Sequence, residues 1–206
     1  MLRVDPATCS AATLAPAVAF LRQGGIVAFP TDTVYGLACD PASAPAVAAL
    51  FALKQRPADS AVPFVAASTA QVVAWCGLSA PADVLAGRFW PGPLSLVCEA
   101  PRSIVAAVHA GLGTVAIRVP DHPVARALAD AWGSPLPATS ANRSGEAAAI
   151  AADELAALAG PTLLVIDGGR AAGGRPSTIV DARQRPPRLV REGAIPWDRV
   201  LHSIQP

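Results

Sequence analysis

Along nearly the whole chain, short apolar runs bounded by proline or glycine alternate with stretches of helical spacing. Ile26-Val27-Ala28-Phe29 is such a run, set between Gly24-Gly25 and Pro30. It is too short for a helix and is flanked by breakers, which marks a buried strand. Helical spacing precedes it over Thr13–Leu21, with Leu14, Val18 and Leu21 on one side, and recurs over Ala44–Leu53. Further helices are predicted over Thr69–Cys76, Pro81–Phe89, Ile104–His109, Pro123–Trp132 (with Asp121 as candidate N-cap) and Asp153–Ala159. Strands are predicted over Val62–Ala67, Leu94–Cys98, Thr114–Val119, Leu136–Thr139 and Leu163–Asp167. Thr178–Asp181 and Leu189–Arg191 form a hairpin-like pair joined through Pro186-Pro187. Strands alternating with helices specify a layered α/β domain. Prolines near the strand ends cannot donate to a central ladder, which favours a mixed sheet over a purely parallel one.

The bulk numbers narrow the function classes. A chain of 206 residues suits one large domain spanning 1–206, and 52% hydrophobic residues supply an ample core. With a formal net charge of +1, no global field draws the chain to nucleic acid or an anionic membrane. The charge is uneven, however: between Arg170 and Arg199 seven arginines face Asp181, Glu192 and Asp198, a local excess of four. Cys9, Cys39, Cys76 and Cys98 have neither CxxC nor other metal-ligand spacing, which fits small buried hydrophobes in a reducing compartment. The longest apolar stretch, 11–29, is broken by Arg22, Gln23 and two glycines, so no membrane span is expected. Without a signal-peptide pattern, a soluble, cytoplasmic chain is expected.

Several conventional sites are missing: no Walker A loop, no GxGxxG opening a helix, no GxSxG elbow, no HExxH. What remains is a series of polar turns after apolar elements. Pro30-Thr31-Asp32-Thr33-Val34-Tyr35-Gly36-Leu37 sets hydroxyls around a carboxylate just before the only tyrosine. It reads either as a ligand turn or as a cap with Tyr35 packed. Lys54, the only lysine among sixteen basic residues, ends a helix in Lys54-Gln55-Arg56-Pro57. A helix C-terminus favours a cation whatever the function, while a compact ammonium does a job that a planar guanidinium cannot; both readings stand. Arg118 sits inside the apolar strand Thr114–Val119, where a charge is costly unless it is paired or faces a cavity. Pro137-Ala138-Thr139-Ser140-Ala141-Asn142-Arg143-Ser144-Gly145 is rich in hydroxyls and in backbone able to form an anion-binding nest. Pro176-Ser177-Thr178-Ile179-Val180-Asp181 and Arg191-Glu192-Gly193 complete the series. Lys54, Arg56, Arg118 and Arg191 with several hydroxyls are equipment for charge-assisted bonds to phosphate and carboxylate. A nucleoside triphosphate with a carboxylate co-substrate fits better than a neutral ligand.

In their order along the chain, the Pro30–Leu37, Lys54–Pro57, Phe89–Leu94, Arg118–Pro120, Ser140–Asn142 and Pro176–Asp181 segments resemble the YrdC/Sua5 family, the L-threonylcarbamoyladenylate synthases. The likeness covers roughly residues 10–195. It implies a YrdC/RibB-like twisted mixed sheet flanked by helices, with a large, positively charged cavity. It also implies formation of threonylcarbamoyl-AMP and pyrophosphate from L-threonine, bicarbonate and ATP with Mg2+, for t6A modification of tRNA. tRNA and the downstream t6A-transferase machinery are the further partners it implies, and no membrane.

Carried over residue by residue, the family's KxR pair falls on Lys54 and Arg56, and its SxN pair on Ser140 and Asn142. Threonine contacts fall on Thr33, Arg118, the backbone at Ala138 and Ser177; nucleotide contacts fall on Arg56, Ser60, Thr114, Ser140 and Arg191. Ala61-Val62 stands where the family commonly has Pro-Leu, which bears on the path around Ser60, and Ser95 replaces a frequent threonine. The family's long form carries a second C-terminal domain, for which this chain is too short. Two other classes compete: a non-catalytic RNA-binding protein, given the arginine excess after Arg170, and a carbamoyltransferase-type domain of the same family. The first lacks aromatic stacking platforms, and the second needs further domains.

Overall fold

A computed structural model describes residues 1–57 and 59–204; Ala58, Gln205 and Pro206, which the single-domain expectation includes, lie outside the described residues. Among the described residues, eleven short strands form two mixed sheets, not one. The first has the order β1 (Leu2–Arg3), β9 (Leu163–Asp167), β2 (Ile26–Phe29), β3 (Gly36–Ala38), β8 (Thr139–Ser140). Within it β1, β9 and β2 run parallel, and β3 is antiparallel to both β2 and β8. The second has the order β11 (Arg188–Arg191), β10 (Thr178–Asp181), β5 (Leu94–Glu99), β6 (Thr114–Arg118), β4 (Phe64–Val65), β7 (Leu136–Pro137). There β10 is parallel to β5 and β4 to β6, while the remaining neighbours are antiparallel.

The one strand expected over Leu136–Thr139 is in fact two pieces in two sheets. Leu136 and Pro137 pair with β4, and Thr139 and Ser140 pair with β3. Ala138 is the step between them, and its N–H donates to Pro63 O at 2.7 Å. This crossing stitches the sheets together directly beside the Ser140 turn.

Helices start where caps allow. Ser43, Ser68 and Ser79 each accept a backbone N–H at the head of α2 (Ala44–Lys54), α3 (Thr69–Cys76) and α4 (Ala80–Phe89). Ser10 and Thr13 form a reciprocal cap on α1 (Ala11–Arg22). Asp121 is not the cap of α5 (Pro123–Trp132): His122 holds that position without a side-chain bond, and Asp121 N donates to Asp32 Oδ2 instead. The stretches expected as helices over Ile104–His109 and Asp153–Ala159 are 3-10 turns at Ala106–His109 and Ala152–Leu158. The strand expected over Val62–Ala67 is reduced to Phe64–Val65. β1, β3 and α6 (Trp197–Ser203) are each too short to show a period in the sequence.

Three apolar clusters hold this frame. Leu14, Leu21, Val27, Phe29, Leu128 and Ile166 join α1 and α5 to the first sheet. Leu37, Val47, Leu50, Phe64, Ile117 and Leu155 fill the space between α2 and both sheets. Leu85, Leu94, Leu96, Val180 and Val200 bury α4 and α6 against the second sheet. Among the described residues no helix is long and apolar enough to cross a membrane.

Candidate active site

A cavity of about 610 Å3 opens between the two sheets. Its wall takes Thr31, Thr33, Val34, Tyr35 and Gly36 from the β2–β3 hairpin of the first sheet, Ala138–Ser140 from the crossing, and Phe64, Val97, Thr114–Ala116, Arg118 and Ile179 from the second. The expected site residues Thr33, Arg56, Thr114, Arg118, Ala138, Ser140, Ser177 and Arg191 all line it. Lys54, Ser60 and Asn142 do not.

Arg118 is 8% exposed at the end of β6. Its Nη1 donates to Asp32 Oδ1, and its Nη2 reaches Thr31 Oγ1 and Thr33 Oγ1, each at 3.3 Å. Asp32 Oδ2 also accepts Asp121 N at 3.2 Å. The Thr31–Thr33 turn thus neutralises and orients a guanidinium that an apolar strand could not otherwise hold. That partner was missed in the sequence, although an acid between two threonines is the sort of counter-charge a strand-borne arginine requires. Thr31 Oγ1 in turn donates to Val34 O at 2.6 Å.

Arg56 and Arg191 differ from Arg118 in having no carboxylate partner among the described residues. Arg56 donates from Nε to Ser60 O (3.2 Å), from Nη2 to Ala61 O (2.7 Å) and from Nη1 to Thr139 Oγ1 (3.4 Å). Burial lowers its pKa. Arg191 Nη2 donates to Ser177 O at 2.8 Å, and its pKa is lowered by burial and by the charge of Arg118. At the mouth, Arg183 and Arg188 are instead paired with Asp181, and Arg183 also with Glu99.

Lys54 does not reach into the cavity as an anion ligand would. It is 2% exposed, and its Nζ donates to Ser140 O, to Asn142 O at 2.8 Å and to Asn142 Oδ1 at 3.1 Å. Three donors meet three oxygens, so nothing is left over for a ligand. The backbone adds a fourth tie, Ser144 N to Lys54 O at 2.7 Å. Gln55, in the left-handed region at φ 51°, turns the chain so that Lys54 points to this loop and Arg56 to the cavity. Asn142 is equally occupied: Oδ1 also accepts Ser140 Oγ at 2.6 Å, and Nδ2 donates to Arg143 O and Glu146 O. Ser60 contributes its carbonyl to Arg56 rather than a cavity contact.

Tyr35 proves to be packed: its hydroxyl donates to Gly169 O at 2.7 Å, and burial pushes the phenol up to about 12. Gly173 N donates to Thr33 O, so the Gly168–Gly174 loop is tied behind the Thr31–Thr33 turn.

Gly193 accounts for the last motif. A Cβ there would meet Pro176 O and lie 2.6 Å from Ser177 O, both backbone atoms. Thr178 Oγ1 and Pro176 O accept the Gly193, Ile195 and Ala194 N–H groups that make this close approach. Gly193→Ala is expected to cost about 1–3 kcal/mol by overpacking and to displace Ser177 and Arg191 together. Thermal melting of the variant checks the cost, and its crystal structure checks the displacement.

Comparison with known proteins places this geometry. A family model described as telomere recombination, Sua5/YciO/YrdC, matches residues 19–193. The chain belongs to this family. The threonylcarbamoyl-AMP synthase of Pyrococcus abyssi is 39% identical over 190 residues, covering 91% of this chain and 56% of that protein. That of Vibrio cholerae is 40% identical over 184 residues, covering 87% and 97%. The chain therefore spans just over half of the first relative and nearly all of the second. The structure of P. abyssi Sua5 complexed with L-threonine superposes with a TM-score of 0.88 at 35% identity, over 98% of this chain and 59% of that one.

Proposed function

We propose that this chain is an L-threonylcarbamoyladenylate synthase, joining L-threonine, bicarbonate and ATP into threonylcarbamoyl-AMP with release of pyrophosphate and water. One observation carries the reading: a cavity holding Arg56 and Arg191 without carboxylate partners beside Arg118, which is already paired to Asp32. Two uncompensated guanidiniums suit an acidic, extended ligand such as a triphosphate, and the name of the relatives, threonylcarbamoyl-AMP synthase, supports that product.

In the mechanism, threonine's amine captures bicarbonate or CO2, and the resulting N-carboxylate attacks the α-phosphorus in line as pyrophosphate leaves. Little covalent work falls to the protein, so positioning and charge neutralisation dominate. Arg118 holds the threonine carboxylate from a fixed orientation, with Thr33, Ser177 and the backbone at Ala138 around it. Arg56, Thr114, Ser140 and Arg191 contact the nucleotide. Lys54 and Asn142 act one layer back, by holding the Ser140 turn. Mg2+ would enter with ATP as part of the substrate. The product would serve t6A modification of tRNA position 37 in the cytoplasm, through a downstream transferase.

The test is pyrophosphate release that requires threonine, bicarbonate and ATP together, and falls by about 10²-fold or more in Arg56→Ala. Release without threonine, or activity persisting in Arg56→Ala, would sink the assignment. Carbamoyl phosphate replacing bicarbonate and ATP would move the chain to the carbamoyltransferase class.

A further inference from the structure

Ser95 is a hydroxyl with no exposed surface, 0%, in the apolar strand β5 between Leu94 and Leu96. Among the described residues its Oγ has one hydrogen-bond partner, Ser177 Oγ at 2.9 Å on the neighbouring chain segment. Ser177 is 8% exposed and lines the cavity, where its carbonyl accepts Arg191 Nη2 at 2.8 Å and its Oγ accepts the same nitrogen at 3.4 Å.

Counting protons assigns the direction of the Ser95–Ser177 bond. Each hydroxyl carries a single hydrogen and can accept twice. If Ser177 were the donor, the Ser95 proton would be buried with no acceptor in reach, the costly way to leave a polar group. If Ser95 is the donor, its proton is satisfied, and Ser177 Oγ takes that bond together with the long one from Arg191. Among the described residues the Ser177 proton then has no acceptor left, and it is free toward the cavity.

We propose that Ser95 is a positioning residue: it holds the Ser177 hydroxyl as a hydrogen-bond donor aimed at an oxygen of the amino-acid substrate. The inference rests on the reading of the cavity as a threonine site and deepens it, since it sets the polarity that the site demands there. A substrate group in contact with Ser177 must be an acceptor, such as a carboxylate or hydroxyl oxygen, and an ammonium is excluded from that position.

The experiment compares wild type, Ser95→Ala, Ser95→Thr, Ser177→Ala and the Ser95→Ala/Ser177→Ala double variant. It measures calorimetric binding of L-threonine and the KM values for threonine and ATP in pyrophosphate release. Ser95→Ala is expected to weaken threonine about fivefold, the scale of one hydrogen bond, with KM for ATP unchanged. Ser95→Thr, which keeps the hydroxyl, is expected to bind like wild type. In the Ser177→Ala background the Ser95 substitution is expected to add nothing further, because it acts only through Ser177. Equal shifts for threonine and ATP, or fully additive losses, would show a packing role and overturn the inference alone. Should Ser95→Thr not fold, the alanine cycle decides by itself. A wild-type chain that binds no threonine overturns the functional reading, and this inference with it.

Discussion

Replacing Arg118 with methionine should cost about 3–5 kcal/mol of stability, the penalty for breaking a buried ion pair from one side. The Asp32 and Arg118 side chains are 11% and 9% exposed, so water cannot take over the lost bonds. Without the guanidinium, the Asp32 carboxylate keeps only Asp121 N, and the Thr31 and Thr33 hydroxyls lose their common donor. Adding Asp32→Asn removes the stranded charge and should recover much of the stability, because burying a neutral amide costs far less than burying a carboxylate. Activity should not return, since the positive group proposed to hold the threonine carboxylate is still missing. Urea denaturation of both variants beside a pyrophosphate assay separates the effects. Equal stabilities for the single and double variants would mean that Asp32 is not the buried counter-ion described above.

Lys54→Met should act at a distance from any ligand. It leaves Ser140 O, Asn142 O and Asn142 Oδ1 without their donor, each worth about 1–3 kcal/mol when buried, offset in part by removing a buried charge. A net loss of about 3 kcal/mol is expected, with a fall of about 10²-fold in kcat/KM as the Ser140 turn loosens. Arginine should not rescue it, because a planar fork cannot point three donors at oxygens placed around one nitrogen.

The variant also carries a signature in pH. Burial, and then the charge of Arg56, lowers the Lys54 ammonium from 10.5 to about 8. Between those values the unfolded chain holds a proton that the folded chain has released, so this group favours folding increasingly as pH rises. The contribution is complete above 10.5 and is lost as pH falls through about 8. Cys39, a thiol pushed up by burial from 9.0 to about 12, acts in the opposite sense above pH 9. Subtracting the Lys54→Met denaturation midpoints from those of wild type cancels Cys39 and leaves the lysine alone. A difference that stays flat from pH 7.5 to 9.5 would show that Lys54 does not titrate there.

The arginine excess after Arg170 looks different once the pairings are known. Arg170 lies 3.6 Å from Glu154, Arg175 lies 3.8 Å from Glu192, and Arg183 is held by Asp181 and Glu99. Much of the local charge is therefore matched by acids, some of them far away in sequence. What is left bare inside the cavity is Arg191, and that is the arginine the ligand reading needs.

Local order was determined by the sequence. Ile26–Phe29, Thr69–Cys76, Pro123–Trp132, Leu163–Asp167 and Thr178–Asp181 fold with the bounds their spacing and breakers specify. Five of the six ordered segments supply residues that line the cavity; Phe89–Leu94 does not. These features depend on neighbours a few residues apart, which a linear pattern records directly. Only the tertiary structure decided what each buried group meets. Arg118 finds Asp32 86 residues away, and Ser95 finds Ser177 82 away. Leu136–Ser140 divides between two sheets because β4 and β3 offer their edges at different points of one short segment. Lys54 is the sharpest case, since the end of a helix explains why a cation is welcome there but not where its ammonium turns. Periodicity reports that a face is buried; the identity of its partner is set by packing between distant segments, and here that packing directs Arg56 to the cavity and Lys54 to the loop behind it.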